Sequence, residues 1–246
     1  MQRVVRTVLS PPLLRRYPTN DKRLRYDRTN NQLLTDTLIA STTSKRGNKY
    51  AQVYGTSFGW LRDHSMKLKN EAHETLSVMF KRSGVPPEMV MDDSKEMNLG
   101  KFLHKLKDAC CYKRQTDPYY PWSNAVEGTI REVKKGSSQK VIKTGTSKCL
   151  WDHSLYFEVL ILSKTALDYH ILDGEVPKML MTGQSPDISH ICEYAWVDWV
   201  MFHDGPHVSY HDNNLVLGRY LGLTLDIRQA MCAKILKKLW QSCANN

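Results

Sequence analysis

Asp117 to Gly136 reads DPYYPWSNAVEGTIREVKKG, a turn rich in Pro and aromatic residues that feeds a helix carrying Glu127. If Glu127 opens the inward face of that helix, Arg131, Lys134 and Lys135 follow at i+4, i+7 and i+8 on nearly the same side. A carboxylate holds a metal or moves a proton, and cations one and two turns on hold phosphates, so the stretch points to chemistry on a polyanion. The competing reading is an exposed helix stabilised by Glu-to-Arg and Glu-to-Lys spacing. Other acids elsewhere in the chain must decide between the two.

The composition leans the same way. The chain has 246 residues, 35 Lys and Arg against 25 Asp and Glu, and a formal net charge of +10. That length supports one sizeable core and a smaller appendage, and the charge favours nucleic acid or an acidic surface as partner. Six cysteines without a CxxC pair fit a reducing compartment. VLSPPLL near the start is too short and too Pro-broken for a secretory signal, and no run approaches the ~20 apolar residues of a membrane span. These features predict a soluble, intracellular protein with no membrane partner.

Residues 1–30 are basic, Pro-broken and without an apolar period, which predicts an extended arm, either solvated or in contact with nucleic acid. Gln32 to Ala40, QLLTDTLIA, is a short apolar run with a single acid, Asp36. Burying an ionised carboxylate costs several kcal/mol unless it is paired or metal-bound, so Asp36 needs a partner. Tyr50–Thr56 and Gly59–Met66 complete an antiparallel meander. Lys69–Ser83 has helical spacing and stops at Gly84, Pro86 and Pro87; Met89 to Met91 resume as a strand ending at Asp92 and Asp93. A helix between strands implies a crossover to a parallel neighbour. Leu99–Ala109 reads as a helix, Cys110–Arg114 as a strand, and Leu150–Ala166 as a long amphipathic helix with Leu155, Val159, Leu160 and Leu162 as core candidates.

The predicted class is therefore α/β, with a mixed sheet flanked by helices over residues 31–185. A small, incomplete β-rich module follows over 190–246, carrying Trp196 and Trp199, which the alternation assigns to its core. His203, His207 and His211 recur at intervals of four, but Gly205 and Pro206 forbid a regular helix there, which argues against a zinc site.

Asp36 inside the first strand, Asp92 at the end of a strand that could lie beside it, and Glu127 on a later helix can meet at one sheet edge. At ~4 Å, two unit charges repel by about 4 kcal/mol at an effective dielectric of ~20, so such a cluster requires a counter-charge. Oxygen ligands without well-placed Cys or His favour Mg²⁺ or Mn²⁺, and two ions would serve phosphodiester chemistry. Any three acids in a chain of this length can be called a constellation, and spacing alone does not remove that objection.

TDTLIA, MDDSKE, YYPWSNAVE and the IREVKK that follows resemble the integrases of long-terminal-repeat retrotransposons, nearest the copia type, with the retroviral integrase catalytic core more distant. The resemblance runs from about Leu13 to Leu236, and the interval from Asp92 to Glu127 is close to that of the family's Asp, Asp, Glu triad. It implies an RNase H-like five-stranded fold, with Asp36, Asp92 and Glu127 as catalytic residues holding Mg²⁺ or Mn²⁺. Asp93 is implied to be a neighbour and not a ligand. Tyr119, Pro121 and Asn124 match the turn that closes over a DNA end, and Arg131 and Lys134, with Lys135 beside them, match DNA-contacting positions. The implied partners are double-stranded DNA, both element ends and target, and further copies of the chain; the implied place of action is the nucleus, or a cytoplasmic particle before nuclear entry.

Three features depart from the family pattern: the paired His and Cys of its N-terminal zinc module are not in this sequence, Gly128 directly follows Glu127, and the β-rich tail is short. They leave a second expectation, a non-catalytic DNA-binding remnant, and a third, a general RNase H-like nuclease.

Overall fold

The computed structural model describes residues 26–92, 97, 100–116, 125–167, 172–203, 215–224 and 233–237. Strands β1 (Leu33–Ile39), β2 (Tyr50–Gly55) and β3 (Leu61–Met66) form the expected antiparallel meander. Helix α1 (Ala72–Ser83) crosses to β4 (Glu88–Met91), and α2 (Lys101–Asp108) crosses to β5 (Tyr112–Gln115). Both crossovers give parallel pairs, so the sheet is mixed and five-stranded in the order β3-β2-β1-β4-β5.

Period-two alternation sorts the sheet into two apolar faces. Leu33, Tyr54, Met89 and Met91 pack with Leu76, Met79 and Phe80 of α1 and with Phe102 and Leu106 of α2. Leu34, Leu38, Val53 and Val90 pack with Ile130 and Val133 of α3 (Ala125–Thr144) and with Leu155 and Val159 of α4 (Trp151–Lys164). The buried amide of Gln52 is satisfied on the face of Leu33 and Tyr54: its Nε2 donates to Thr35 Oγ1 at 2.6 Å, and its Oε1 accepts from Thr37 Oγ1 at 2.8 Å.

α1 repeats its buried residues, Ala72, Leu76, Met79 and Phe80, at helical spacing. It ends where Gly84 takes a φ of 84° and donates its N–H to Phe80 O. A Cβ there would stand 2.8 Å from the Asp27 carbonyl, so the turn requires glycine. α3 runs on past Gly136 to Thr144. Gly136 leaves room for the Glu158 carboxylate of α4, which pairs with Lys140 where the two helices pack.

The α4 entry is pinned to the hairpin between β1 and β2. Fully buried Asp152 accepts from Arg46 Nε at 2.8 Å, Asn48 Nδ2 at 2.9 Å and the His153 N–H at 2.9 Å. Burial alone would raise its carboxyl; the Arg46 and His153 charges and the two side-chain hydrogen bonds together outweigh that and hold it below the ordinary range.

Two short helices, α5 (Pro177–Thr182) and α6 (Ser189–Glu193), precede a three-stranded antiparallel sheet of β6 (Trp199–His203), β7 (Leu215–Leu223) and β8 (Ala233–Lys237). Tyr220 and Leu221 of this small sheet share a buried cluster with Leu150, Phe157 and Trp196, so it rests on the outer side of α4. Trp196 is core as expected, but Trp199 is not. It is 46 % exposed, with the Arg219 guanidinium 3.5 Å above its ring from the paired position on β7. Alternation put Trp199 on the solvent side of β6, and its cation comes from a different strand. No helix among the described residues is long and apolar enough to cross a membrane.

Asp152→Ala is expected to lower stability by about 3 kcal/mol in urea melts, because it strands Asn48 Nδ2 and the Arg46 charge beside a cavity. A lowered carboxylate pKa gives stability that is fully present above the unfolded value and is lost as pH falls through the folded value. Wild type should therefore lose part of its advantage over Asp152→Asn as pH drops below about 4.

Candidate active site

β1 and β4 run parallel with Thr35 opposite Met91, so the next residues, Asp36 and Asp92, stand side by side where β4 ends. Alternation turns Asp36 to the face of Leu34 and Leu38, and Asp92 to the face of Val90, which is the face α3 covers. Ile130 and Val133 anchor α3 there and carry its first turn, with Glu127, over the same strand ends.

The electrostatics of Asp36 record this convergence. Its carboxyl is raised above the ordinary range, first by burial and then by the negative charges of Asp92 and Glu127. A hydrogen bond from the Thr37 N–H, 2.6 Å long, and the Lys134 ammonium pull the other way without reversing the shift. Glu127 is about half exposed, with Arg131 Nη2 at 3.5 Å, and Asp92 is exposed. Among the described residues no three His, Cys, Asp or Glu side chains stand close enough together to hold a metal ion. The three acids thus share one field without a shared ligating centre. As a donor set they fit a hard divalent cation: all ligating atoms are carboxylate oxygens, two of the side chains are exposed enough to re-aim, and a cation would relieve the repulsion that raises Asp36.

The cations of α3 are arranged differently from the single row expected. Ile130, Val133 and Ser137 form the inward face, while Glu127, Arg131, Lys134 and Lys135 are exposed. Glu127 and Lys134, seven residues apart, lie almost in line along the helix, which explains why Lys134 reaches the field of Asp36. Arg131 and Lys135 lie further round toward solvent. The apolar anchors of a packed helix take the centre of the buried arc, and long cations move to its rim. Tyr119, Pro121, Asn124 and Asp93 lie outside the described residues, as do most of the basic arm at 1–30, His207 and His211.

No protein-family model matches the sequence, and no curated protein matches it. Solved structures do. A chain of the simian T-cell lymphotropic virus intasome in complex with PP2A regulatory subunit B56 gamma superposes with a TM-score of 0.53 at 15 % identity, covering 85 % of this chain and 76 % of that one. The catalytic core domain of BIV integrase superposes with a TM-score of 0.50 at 13 % identity, covering 67 % of this chain and 99 % of that one. The fold is thus the RNase H-like fold of retroviral integrase cores, with a second small sheet beyond it.

A carboxyl with a raised folded-state pKa favours folding below its unfolded value and loses that contribution as pH rises through the folded one. Asp36→Asn is therefore expected to be more stable than wild type at neutral pH in chelator. The advantage should vanish below about pH 3, where both are uncharged, as read from thermal melts across pH.

Proposed function

We propose that the chain is the integrase of a copia-type long-terminal-repeat retrotransposon. In this reading it trims the 3′ ends of linear element DNA and joins them to target DNA. The observation that carries the reading is the placement of Asp36: a half-buried carboxyl raised by two other acids that arrive from a parallel strand and a distant helix. The sequence likeness of TDTLIA, MDDSKE and YYPWSNAVE supports it from a second side.

Asp36, Asp92 and Glu127 would hold Mg²⁺ or Mn²⁺, two ions in the full site, and supply Lewis-acid stabilisation to the attacking and leaving oxygens of an in-line displacement at phosphorus. The chain's own residues fix where that happens. Asp36 is held by the Thr37 N–H on a strand that β2 pairs from Leu34 to Ile39, which gives the site a firm base. Exposed Arg131, Lys134 and Lys135 line a helix leading away from the acids, a track suited to duplex phosphates. Tyr119 and Asn124 are proposed to close over the DNA end. Two element ends must be joined to one target, so the working form is a homo-oligomer on double-stranded DNA, acting in the nucleus after transport as a cytoplasmic particle. The basic arm at 1–30 and the module at 190–246 are proposed to add DNA contacts to the core at 31–185.

That the three acids form no ligating cluster among the described residues favours a second reading, a DNA-binding remnant without catalysis. Incubation with a blunt duplex carrying the element terminus and Mg²⁺ or Mn²⁺ separates the two. Integrase activity predicts end-trimming and strand transfer that Asp92→Asn lowers at least about 100-fold, since metal-ion charge stabilisation is worth several kcal/mol. Salt-dependent binding without any cleavage supports the remnant, and cleavage inside RNA–DNA hybrids without end preference supports a general nuclease.

Duplex binding gives an independent check on the helix track. Replacing Lys134 and Lys135 with Gln is expected to weaken binding at every sequence and to flatten the slope of log K against log salt by about 0.9 for each phosphate no longer neutralised.

A further inference from the structure

β5 closes one edge of the large sheet, and its face toward α3 is bare. The apolar cluster beneath α3 takes residues from β1, β2, β3 and β4 and, among the described residues, none from β5. Tyr112 stands opposite Glu88 and Arg114 opposite Val90, so both side chains share the sheet face that carries Val90 and, two residues on, Asp92. Lys113 stands opposite Met89 and belongs to the other face. Tyr112 is 69 % exposed, and Arg114 is exposed as well. A long cation and an aromatic ring thus form an uncovered shelf beside one of the three acids.

Arg114 is placed to serve whatever binds at Asp92. One strand spacing and two residues of rise separate their backbones by about 8 Å, a diagonal that a long side chain can bridge. The strand beneath it is held: Thr116, two residues on, donates its N–H to the Met91 carbonyl at 3.1 Å, which ties the end of β5 to the residue before Asp92. Glu88, on the opposite diagonal, accepts from Gln32 Nε2 at 2.5 Å. Among the described residues no ion pair or hydrogen bond engages the Arg114 guanidinium, although acids lie on both diagonals. Its N–H donors stay open to a phosphate. The acids therefore have cations on two flanks: Lys134 on α3, whose charge reaches Asp36, and Arg114 on the far side of β4.

We propose that Arg114 binds a phosphate of the target strand, with Tyr112 packing against the sugar beside it. The proposal rests on the integrase reading above and adds to it the side on which target DNA lies. In joining, the element's 3′ hydroxyl gives up its proton and its oxygen bonds to a target phosphorus, while the target's own 3′ oxygen leaves and takes a proton up. Attacking and leaving oxygens stand in line on opposite sides of that phosphorus, so the two DNAs depart from the site in different directions. Two separate phosphate contacts are then needed. Arg131, Lys134 and Lys135 offer several to the element end, which stays bound through both steps. β5 offers one, which suits a duplex met only for joining.

The test gives the full chain a blunt element-end duplex, Mg²⁺ and a separate plain duplex as target. Arg114→Gln is expected to trim the element end at the wild-type rate. At low target its joining should fall about 10-fold, as loss of one charged hydrogen bond implies. Excess target should restore it, because the loss lies in KM for target and leaves kcat alone, whereas a folding defect would lower trimming too. Arg114→Lys should recover part of the loss, since it keeps the charge without the fork. Trimming and joining that fall together, or joining that is unchanged, would overturn the proposal. Binding in chelator decides the matter without turnover. Protein saturated with the element-end duplex is titrated with a labelled plain duplex, and Arg114→Gln is expected to weaken this second binding about 10-fold and leave the first intact. Equal second binding by the two proteins, or none by wild type, overturns it as well. A wild-type protein that binds both duplexes in this way but neither trims nor joins overturns the integrase reading alone.

Discussion

The pairing of β1 with β4 is the constraint from which the rest follows. It is parallel, it ends in register at Thr35 and Met91, and it therefore delivers Asp36 and Asp92 side by side. An antiparallel neighbour in the same place would have carried one acid to the far end of the sheet. The arrangement is unfavourable in itself, since burial and then the charges of Asp92 and Glu127 raise the Asp36 carboxyl above its ordinary range. What holds it is the apolar burial on both faces: Leu33, Met89 and Met91 on one, Leu34, Val53 and Val90 on the other. Each such side chain contributes roughly 1.5–3 kcal/mol when fully buried, so a few neighbours outweigh the repulsion.

α3 and α4 transmit that constraint to the third acid. Glu127 lies on the first turn of a 20-residue helix, and its position over the strand ends depends on packing further along. Ile130 and Val133 fix the helix to the sheet. The Lys140–Glu158 pair, made possible by Gly136, and the Ser154 hydroxyl donating to the Ser137 carbonyl at 2.9 Å fix it to α4. α4 is in turn held at its start by Asp152 and covered on its outer side by the small sheet through Phe157 and Tyr220. This explains why α4 buries polar as well as apolar positions. A helix enclosed on two sides must satisfy its polar groups within the protein, as Asp152, Ser154 and Ser163 do.

Much of this was legible in the sequence because local and long-range requirements coincide. The strands of the meander are short runs joined by short turns, Gly84 with Pro86 and Pro87 stops α1 without ambiguity, and a lone acid in QLLTDTLIA called for a partner. The places of Asp92 and Glu127, at the end of a short apolar strand and in the first turn of a helix, were legible because those elements end and begin where the sequence says. The cation row on α3 was misjudged, since which residues of a helix face inward is decided by its neighbours and not by its charges. Trp199 was misjudged likewise, because the guanidinium that covers it comes from Arg219, twenty residues away on the paired strand. Arg62, Arg82, Lys164 and Lys178, which line one cavity beside β3, were invisible as a group because they come from separate elements.

The two charged regions share one sheet and make opposite demands on it. At the centre, negative charge gathers just past the last β1–β4 pair, where β1 is still paired to β2 and holds Asp36 in register. At the edge, positive charge gathers around a strand with one free side, where Leu61 is tied to Ser163 by a hydrogen bond in each direction, both 2.9 Å long. Charge gathered there acts on an edge strand, which β2 joins to β1, the strand that carries Asp36. The charged edge and the acidic centre are thus held by one sheet, joined by the two strands between Arg62 and Asp92.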